Sequence, residues 1–241
     1  MIINMWSGPR NLSTALMRSF ENRKDTNVWD EPLYAYYLKN TKLNHPLANK
    51  IINKYKTNID ELIHDMTSKK DTLEILYLKQ MTHHLIKKTP IDWIKKTKNC
   101  LLIRNPKKVI NSYIKKNELK TLDDIGFQSQ YRIFEYLNKN KIKIIVINAD
   151  DLIFDSEKTI KNLCKKLKIE FTNNMLQWPK GKRQTDGIWG EVWYKKVINS
   201  TTFNSDNINK ETKIPSKYNS LLNEANKIYE ELNLYNLNNN L

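Results

Sequence analysis

Strand-like runs alternate with helical patterns along most of this chain, and that alternation constrains its fold more than any other feature. The runs are 2–6 (IINMW), 26–29, 73–78, 99–103 (NCLLI) and 143–147 (KIIVI). Short runs bounded by polar turn residues read as strands of a buried sheet. The segments between them have helical spacing. Leu12, Leu16 and Phe20 share a face of a helix over 13–21, and Ile160, Leu163, Cys164 and Leu167 share a face of a helix over 156–167. Further helices are expected at 107–116, within 118–140 and, less regularly, across 34–71, where Ile51, Ile59, Leu62 and Met66 recur at helical spacing. Such alternation gives a central, mostly parallel sheet covered on both faces, a three-layer α/β/α fold. The length suits one domain, 1–241. The Asn-rich end, NLYNLNNNL, is expected to fray.

Composition narrows the class. With 41 Lys and Arg against 26 Asp and Glu, the net charge of +15 favours anionic or phosphorylated partners. The basic residues are dispersed, as on a solvated surface, and interleaved aromatic–basic motifs of nucleic-acid binders are missing, which disfavours nucleic acid. Only six are arginines: Arg10, Arg18, Arg23, Arg104, Arg132 and Arg183. In a chain that otherwise uses lysine, an arginine marks a place where planar, bidentate contact with an oxyanion matters. Cys100 and Cys164 sit in apolar contexts and read as reduced core thiols. Met1 leads straight into Ile2-Ile3, and no apolar run nears the ~20 residues of a membrane span. A cytoplasmic chain without a membrane partner is therefore expected.

The chemistry lies in the polar residues expected just past the strands: Ser7 to Arg10, Glu31, Lys79, Arg104 and Asp150. That edge is where open α/β sheets bind ligands. The first turn reads Ser7-Gly8-Pro9-Arg10-Asn11, and Ser13-Thr14 open the helix. Gly8 permits a tight turn whose backbone N–H groups converge on an anion, and the helix start adds its positive end. Arg10 supplies a charge, and Asn11, Ser13 and Thr14 supply hydrogen bonds. Alternatively, Ser13 is an ordinary N-cap. The turn lacks the second Gly and the Lys of a Walker A loop, which disfavours a kinase or NTPase. The fourth strand runs into R-N-P-K-K-V-I-N-S, with Arg104 at its end, Asn105 as a cap, Pro106 at the first helical position and Ser112 two turns on.

These two motifs, in this order, resemble the donor-binding elements of the PAPS-dependent sulfotransferases, PAPS being 3′-phosphoadenosine-5′-phosphosulfate. Arg104 with Ser112 eight residues later is similar to the family's 3′-phosphate motif. Arg10-Asn11-Leu12-Ser13-Thr14 is similar to its 5′-phosphosulfate loop. Leu12 stands where that loop usually has Gly, and Ala15 where an aromatic often follows, so adenine stacking must come from elsewhere. Residues 150–171 resemble the stretch after the family's fifth strand. Residues 180–187 (KGKRQTDG), with Lys182 and Arg183, resemble its late basic loop over the 3′-phosphate. The resemblance runs from residue 1 to about 190. It implies a P-loop-like sulfotransferase fold, PAPS as sulfuryl donor, PAP as product and no metal. It also implies a small-molecule acceptor, a hydroxyl or an amine; residues 34–72 and 117–131, the longest departures from the sheet-and-helix core, are expected to form its pocket.

Sulfuryl transfer gains from a base at the acceptor and a cation at the leaving oxygen. Lys79 is the candidate cation. His83 or His84 is a candidate base, and Glu31 of W-D-E-P is the rival, unless Asp30 and Glu31 only cap the next helix. Nearby Arg10 and Lys79 would depress a carboxylate's pKa and keep a histidine neutral, which leaves the choice open. His83-His84 lack zinc-ligand spacing. Trp178, Trp189, Trp193 and Tyr194 either stack on adenine, wall the acceptor pocket or pack a core. A second class also fits the charge: a non-catalytic nucleotide- or nucleic-acid-binding protein on the same fold.

Overall fold

The computed structural model describes residues 1–68, 73–203 and 213–239. Its strands are β1 (Ile2–Ser7), β2 (Thr26–Asp30), β3 (Ile75–Met81), β4 (Lys98–Ile103) and β5 (Ile144–Asn148). They pair in parallel in the order β2-β3-β1-β4-β5. The helices in chain order are α1 (Ser13–Glu21), α2 (Tyr34–Thr41), α3 (Ala48–Lys54), α4 (Ile59–Thr67), α5 (Pro106–Tyr113), α6 (Phe127–Lys139), α7 (Ala149–Phe154), α8 (Ser156–Leu167), α9 (Gly190–Trp193), α10 (Lys195–Ile198) and α11 (Asn219–Asn233).

The period-two pattern of the strands divides the core. Ile3, Met5, Tyr77, Cys100, Leu102 and Ile147 face α1, α7 and α8. Trp6, Leu78, Leu101, Ile103 and Val146 face α4, α6 and α11. Each fully buried side chain of this size stabilises by about 1.5–3 kcal/mol, so a one-residue register slip that exchanged the faces would be severely destabilising. Cys100 and Cys164 are both buried and unpaired, as their contexts predict. The chain leaves β1 by α1 on one face, whereas the connection after β4 covers the other face through α6. Connections that diverge from adjacent strands open a crevice at their carboxyl ends, and here the crevice lies between the turns after β1 and β4.

The structure redraws several boundaries. The strand expected at 73–78 runs on to Met81, so Lys79 lies within β3, opposite Met5 and Asp30, and not beyond the strand end. The segment 34–72 resolves into α2, α3 and α4, its last residues, 69–72, lying outside the described residues. Within 118–140, a short 3-10 turn at Leu122–Ile125 is separated from α6 by Gly126 at φ 77°. The Asn-rich end does not fray through residue 239. Leu237 is buried, its N–H bonds Val146 O at 2.9 Å, and Asn236 and Asn238 donate to Asp151 at 2.8 and 2.9 Å. The asparagines there satisfy a carboxylate that follows β5.

Candidate active site

The turn after β1 departs from ordinary backbone twice. Arg10 (φ 69°) and Leu12 (φ 66°) are both in the left-handed region, at a cost of roughly 1–2 kcal/mol per residue for a side chain with a Cβ. Leu12, where the resembling loop has Gly, occupies the conformation that glycine adopts freely. Gly8 serves differently from the expectation of a flexible turn: a Cβ there would lie 2.4 Å from Ile125 O, so the residue is needed for close approach to the 122–126 turn. Asn11 is 1% exposed and donates to Leu102 O at 3.1 Å, which pins the turn to β4 and faces Asn11 away from solvent.

Leu12, not Ser13, is the N-cap of α1, and no side chain caps that helix. Its first N–H groups, unclaimed by a capping side chain, open toward the turn with Ser13 and Thr14 in the first positions. Arg10 Nε donates to Ser112 Oγ at 2.8 Å, and Arg104 Nη1 donates to Arg10 O at 2.6 Å. Arg10 thus meets Arg104 and Ser112, 94 and 102 positions away in sequence, at one helix start. Burial, and for Arg10 the neighbouring Arg104, lowers the pKa of both guanidinium groups. Arg104 Nε is buried without a hydrogen bond, and the nearest carboxylate, Asp150, lies at 3.8 Å. Two adjacent cations, a free donor and an uncapped helix start are the donor set an oxyanion requires.

The second cluster forms where β2 and β3 pair. Lys79, 1% exposed, donates to Asp30 Oδ1 at 2.9 Å, to Tyr194 Oη at 2.7 Å and to Glu31 Oε1. Its three N–H donors are all engaged, so it is tied to the carboxylates and not free to reach a leaving oxygen. Burial opposes its charge, but Asp30 and Glu31 outweigh burial and raise its pKa. Glu31 sits at φ 44°, its N–H bound to Lys79 O at 2.9 Å. Burial raises its pKa against the opposing pull of Lys79, with Asp30 adding to the rise. The depression expected from nearby cations is therefore reversed by desolvation. The carboxylates do not cap a helix: α2 begins at Tyr34 with Leu33 as its N-cap.

The histidines close the group. His84 stacks between Tyr34 and Tyr37, with ring centroids at 4.6 and 4.7 Å, and His83 meets Tyr37 edge-on. His84 Nδ1 lies 4.0 Å from Glu31 Oε2. Burial, reinforced by His45, lowers the His83 pKa to about 4, and burial and neighbouring His83 hold His84 well below its ordinary value. Burial thus disfavours the charged form of both rings, and both Nδ1 atoms are buried without a hydrogen-bond partner. Beside Glu31 opens a cavity of about 240 Å³ walled by Trp29, Ala35, Tyr55, Leu62 and Trp189, largely from the 34–72 segment.

The late basic loop lies elsewhere. Arg183 Nε is 3.5 Å from Glu21 at the last residue of α1, and Arg183 Nη2 donates to Pro179 O at 2.7 Å. Lys182 is exposed. The loop is drawn to that end of α1 because Asp186 forms a bidentate pair with buried Arg18, at 2.6 and 2.7 Å. Nine helical residues, about 13 Å at 1.5 Å per residue, separate Glu21 from the anion turn. Trp178, Trp189 and Tyr194 are buried, the first two packed against other aromatic rings. Among the described residues no cluster of His, Cys, Asp and Glu could hold a metal ion, and no helix is long and apolar enough to cross a membrane.

The family model for the sulfotransferase domain matches residues 1–233. The chain belongs to that family. The match extends beyond the region in which the sequence resemblance was legible and takes in α11. Two solved sulfotransferase domains share the fold. That of the Synechococcus PCC 7002 olefin synthase has a TM-score of 0.61 at 16% identity, covering 95% of this chain and 93% of its own. That of the curacin biosynthetic pathway has a TM-score of 0.56 at 15% identity, covering 96% of each. A curated relative, the Arabidopsis thaliana branched-chain-amino-acid aminotransferase-like protein 1, is 35% identical over 204 residues. That match covers 85% of this chain but only 37% of the relative. In this sulfotransferase-family chain, sequence reasoning names Asp30 only as a helix cap and Tyr194 only as a stacking, pocket-wall or core aromatic, and misses their bonds to Lys79. Asp30 stood in view beside Glu31. The Lys79 contact of Tyr194 carries no local signal, because the two residues are 115 apart.

Proposed function

We propose that this chain is a PAPS-dependent sulfotransferase that passes a sulfuryl group to a hydroxyl or amine of a small acceptor and releases PAP. The observation that carries the reading is the meeting of Arg10, Ser112 and Arg104 at the uncapped start of α1. In this reading Arg104 and Ser112 hold the 3′-phosphate, and Arg10, Ser13, Thr14 and the helix N–H groups hold the 5′-phosphosulfate. Lys182 and Arg183 take no part in it. The acceptor lies in the cavity beside Glu31.

Glu31 is the base. A general base works best with a pKa near the working pH, and burial moves Glu31 toward that range while it moves His83 and His84 away from it. Oε1 is held by Lys79, which leaves Oε2 to receive the acceptor proton as the acceptor bonds to sulfur and the bond from sulfur to the phosphate oxygen breaks. The negative charge left on PAP falls to Arg10 and the helix start. Lys79 orients the base. The buried, unpaired thiols of Cys100 and Cys164 suit work in the reducing cytoplasm.

The test is transfer itself. Incubated with ³⁵S-labelled PAPS and a pool of cell metabolites in the presence of a chelator, the protein should yield a labelled product and an equal amount of PAP. Absence of labelled product, together with duplex-DNA binding and no stabilisation by PAP, would replace this reading with the non-catalytic one.

A further inference from the structure

The buried cluster around Lys79 has an uneven charge balance. Two carboxylates, Asp30 and Glu31, face one ammonium in a site where the three side chains are at most 10% exposed. An unneutralised charge in such a place is costly unless neutral donors make up the difference. Here they do. Tyr194 Oη lies 2.8 Å from each oxygen of Asp30 and 3.3 Å from Glu31 Oε1, and Gly187 N–H donates to Asp30 Oδ2 at 3.1 Å. Trp189 Nε1 donates to the Tyr194 oxygen at 3.1 Å, which fixes the hydroxyl. Both Asp30 oxygens are therefore engaged, and of the two carboxylates only Glu31 keeps an oxygen outside the Lys79–Tyr194 network.

The donors come from a segment anchored at both ends. Asp186, one residue before Gly187, is clamped by Arg18 of α1 and accepts from Arg183 N at 2.8 Å. Tyr194 follows α9, whose entry at Gly190 tolerates no side chain easily, since a Cβ would meet the Tyr194 ring at 3.0 Å. The segment thus ties the helix that begins at the anion turn to the carboxylates beside the cavity.

We propose that Asp30 and Tyr194 are a positioning pair for the reaction: they share Lys79 with Glu31 so that the Glu31 carboxylate is held by one oxygen only and presents Oε2 unpaired toward His84 and the acceptor. The proposal rests on Glu31 acting as the base. Neither Asp30 nor Tyr194 touches the reacting atoms in it. The groups facing Glu31 are Asp30 on β2, Lys79 on β3, His84 after β3, Tyr34 on α2 and Tyr194 after α9. Removing the hydroxyl takes a donor from an already electron-rich pair, so a proton is retained to higher pH. Removing the Asp30 charge relieves Glu31 of a like neighbour, so its proton is lost at lower pH.

The experiment titrates the Glu31 carboxyl by ¹³C NMR in the full chain, assigned by its loss in Glu31→Gln, in parallel with PAP release from PAPS. Tyr194→Phe should shift the midpoint up and Asp30→Asn should shift it down. PAP release should fall about tenfold in Tyr194→Phe, a fraction of the roughly 10²–10⁴ that general-base catalysis supplies, with the KM for PAPS unchanged. A midpoint unmoved in both variants, or moved the same way, overturns the proposal. If Tyr194→Phe does not fold, the direction in Asp30→Asn decides. The titration does not depend on turnover, so failure of the wild type to release PAP would count against the proposed function and leave the pair to be judged by the NMR shifts.

Discussion

Arg10 and Arg104 are set beside a hydroxyl, a backbone carbonyl and an uncapped helix start, whereas Lys79 has all three of its N–H donors committed to Asp30, Glu31 and Tyr194. Both regions place basic side chains near the carboxyl edge of one parallel sheet. The first, apart from Asp150 at 3.8 Å from Arg104, sets its guanidinium groups against neutral partners. The second closes on itself and leaves over a single carboxylate oxygen. A buried cation whose donors are satisfied within the protein orients its neighbours, while paired guanidinium groups with donors to spare recognise an anion. Charge alone would have ranked Lys79 with the arginines, and its partners separate it from them.

The sharpest break of this contrast is Glu31→Gln. It leaves the anion turn intact and removes the one group the second cluster presents. Turnover should fall by about 10²–10⁴ while PAP affinity is retained, measured by single-turnover rates and calorimetry. The pH profile adds a sign. Burial raises the Glu31 pKa, so the wild-type rate should climb as pH rises through that elevated value and the carboxylate forms. In Glu31→Gln that limb should vanish. A rate and profile equal to the wild type would reduce Glu31 to a structural residue and return the base to the histidines.

A smaller effect is expected at the other cluster. Arg104→Ala should weaken PAP binding by about 1.5–3 kcal/mol, roughly ten- to hundredfold, as expected for a charged hydrogen bond. Arg104→Lys should recover only part of that, since the planar fork is lost. Arg183→Ala, whose side chain is engaged at the far end of α1, should leave PAP affinity unchanged. A large loss in Arg183→Ala would bring the late loop back over the donor.

The sequence revealed features in proportion to how local they are. The turn and helix after β1 are contiguous, and α1 and α8 begin and end where periodicity places them. Arg104 stands just before a short helix that has its own cap and proline and carries Ser112, so their spacing carries meaning without the fold. The sequence puts Lys79 past its strand because Leu73 and Glu74 read as strand, although pairing begins at Ile75 and continues through Met81. Asparagine, poor in apolar surface, predicts a frayed tail, yet Asp151 and Thr159 give Asn236 and Asn238 part-buried hydrogen-bond partners. For Tyr194 the sequence offers only an aromatic that stacks, walls a pocket or packs a core, and its hydroxyl's role is hidden because only folding brings it against Asp30.

The central claim of the proposed function is that Arg104, with Ser112, recognises the 3′-phosphate of the donor. Calorimetry with PAP and with 5′-AMP, which differ only by that phosphate, tests it most directly. PAP should bind more tightly than AMP in the wild type, and Arg104→Ala should erase most of the difference. Equal affinities for PAP and AMP in the wild type, or a difference that survives Arg104→Ala, would contradict it.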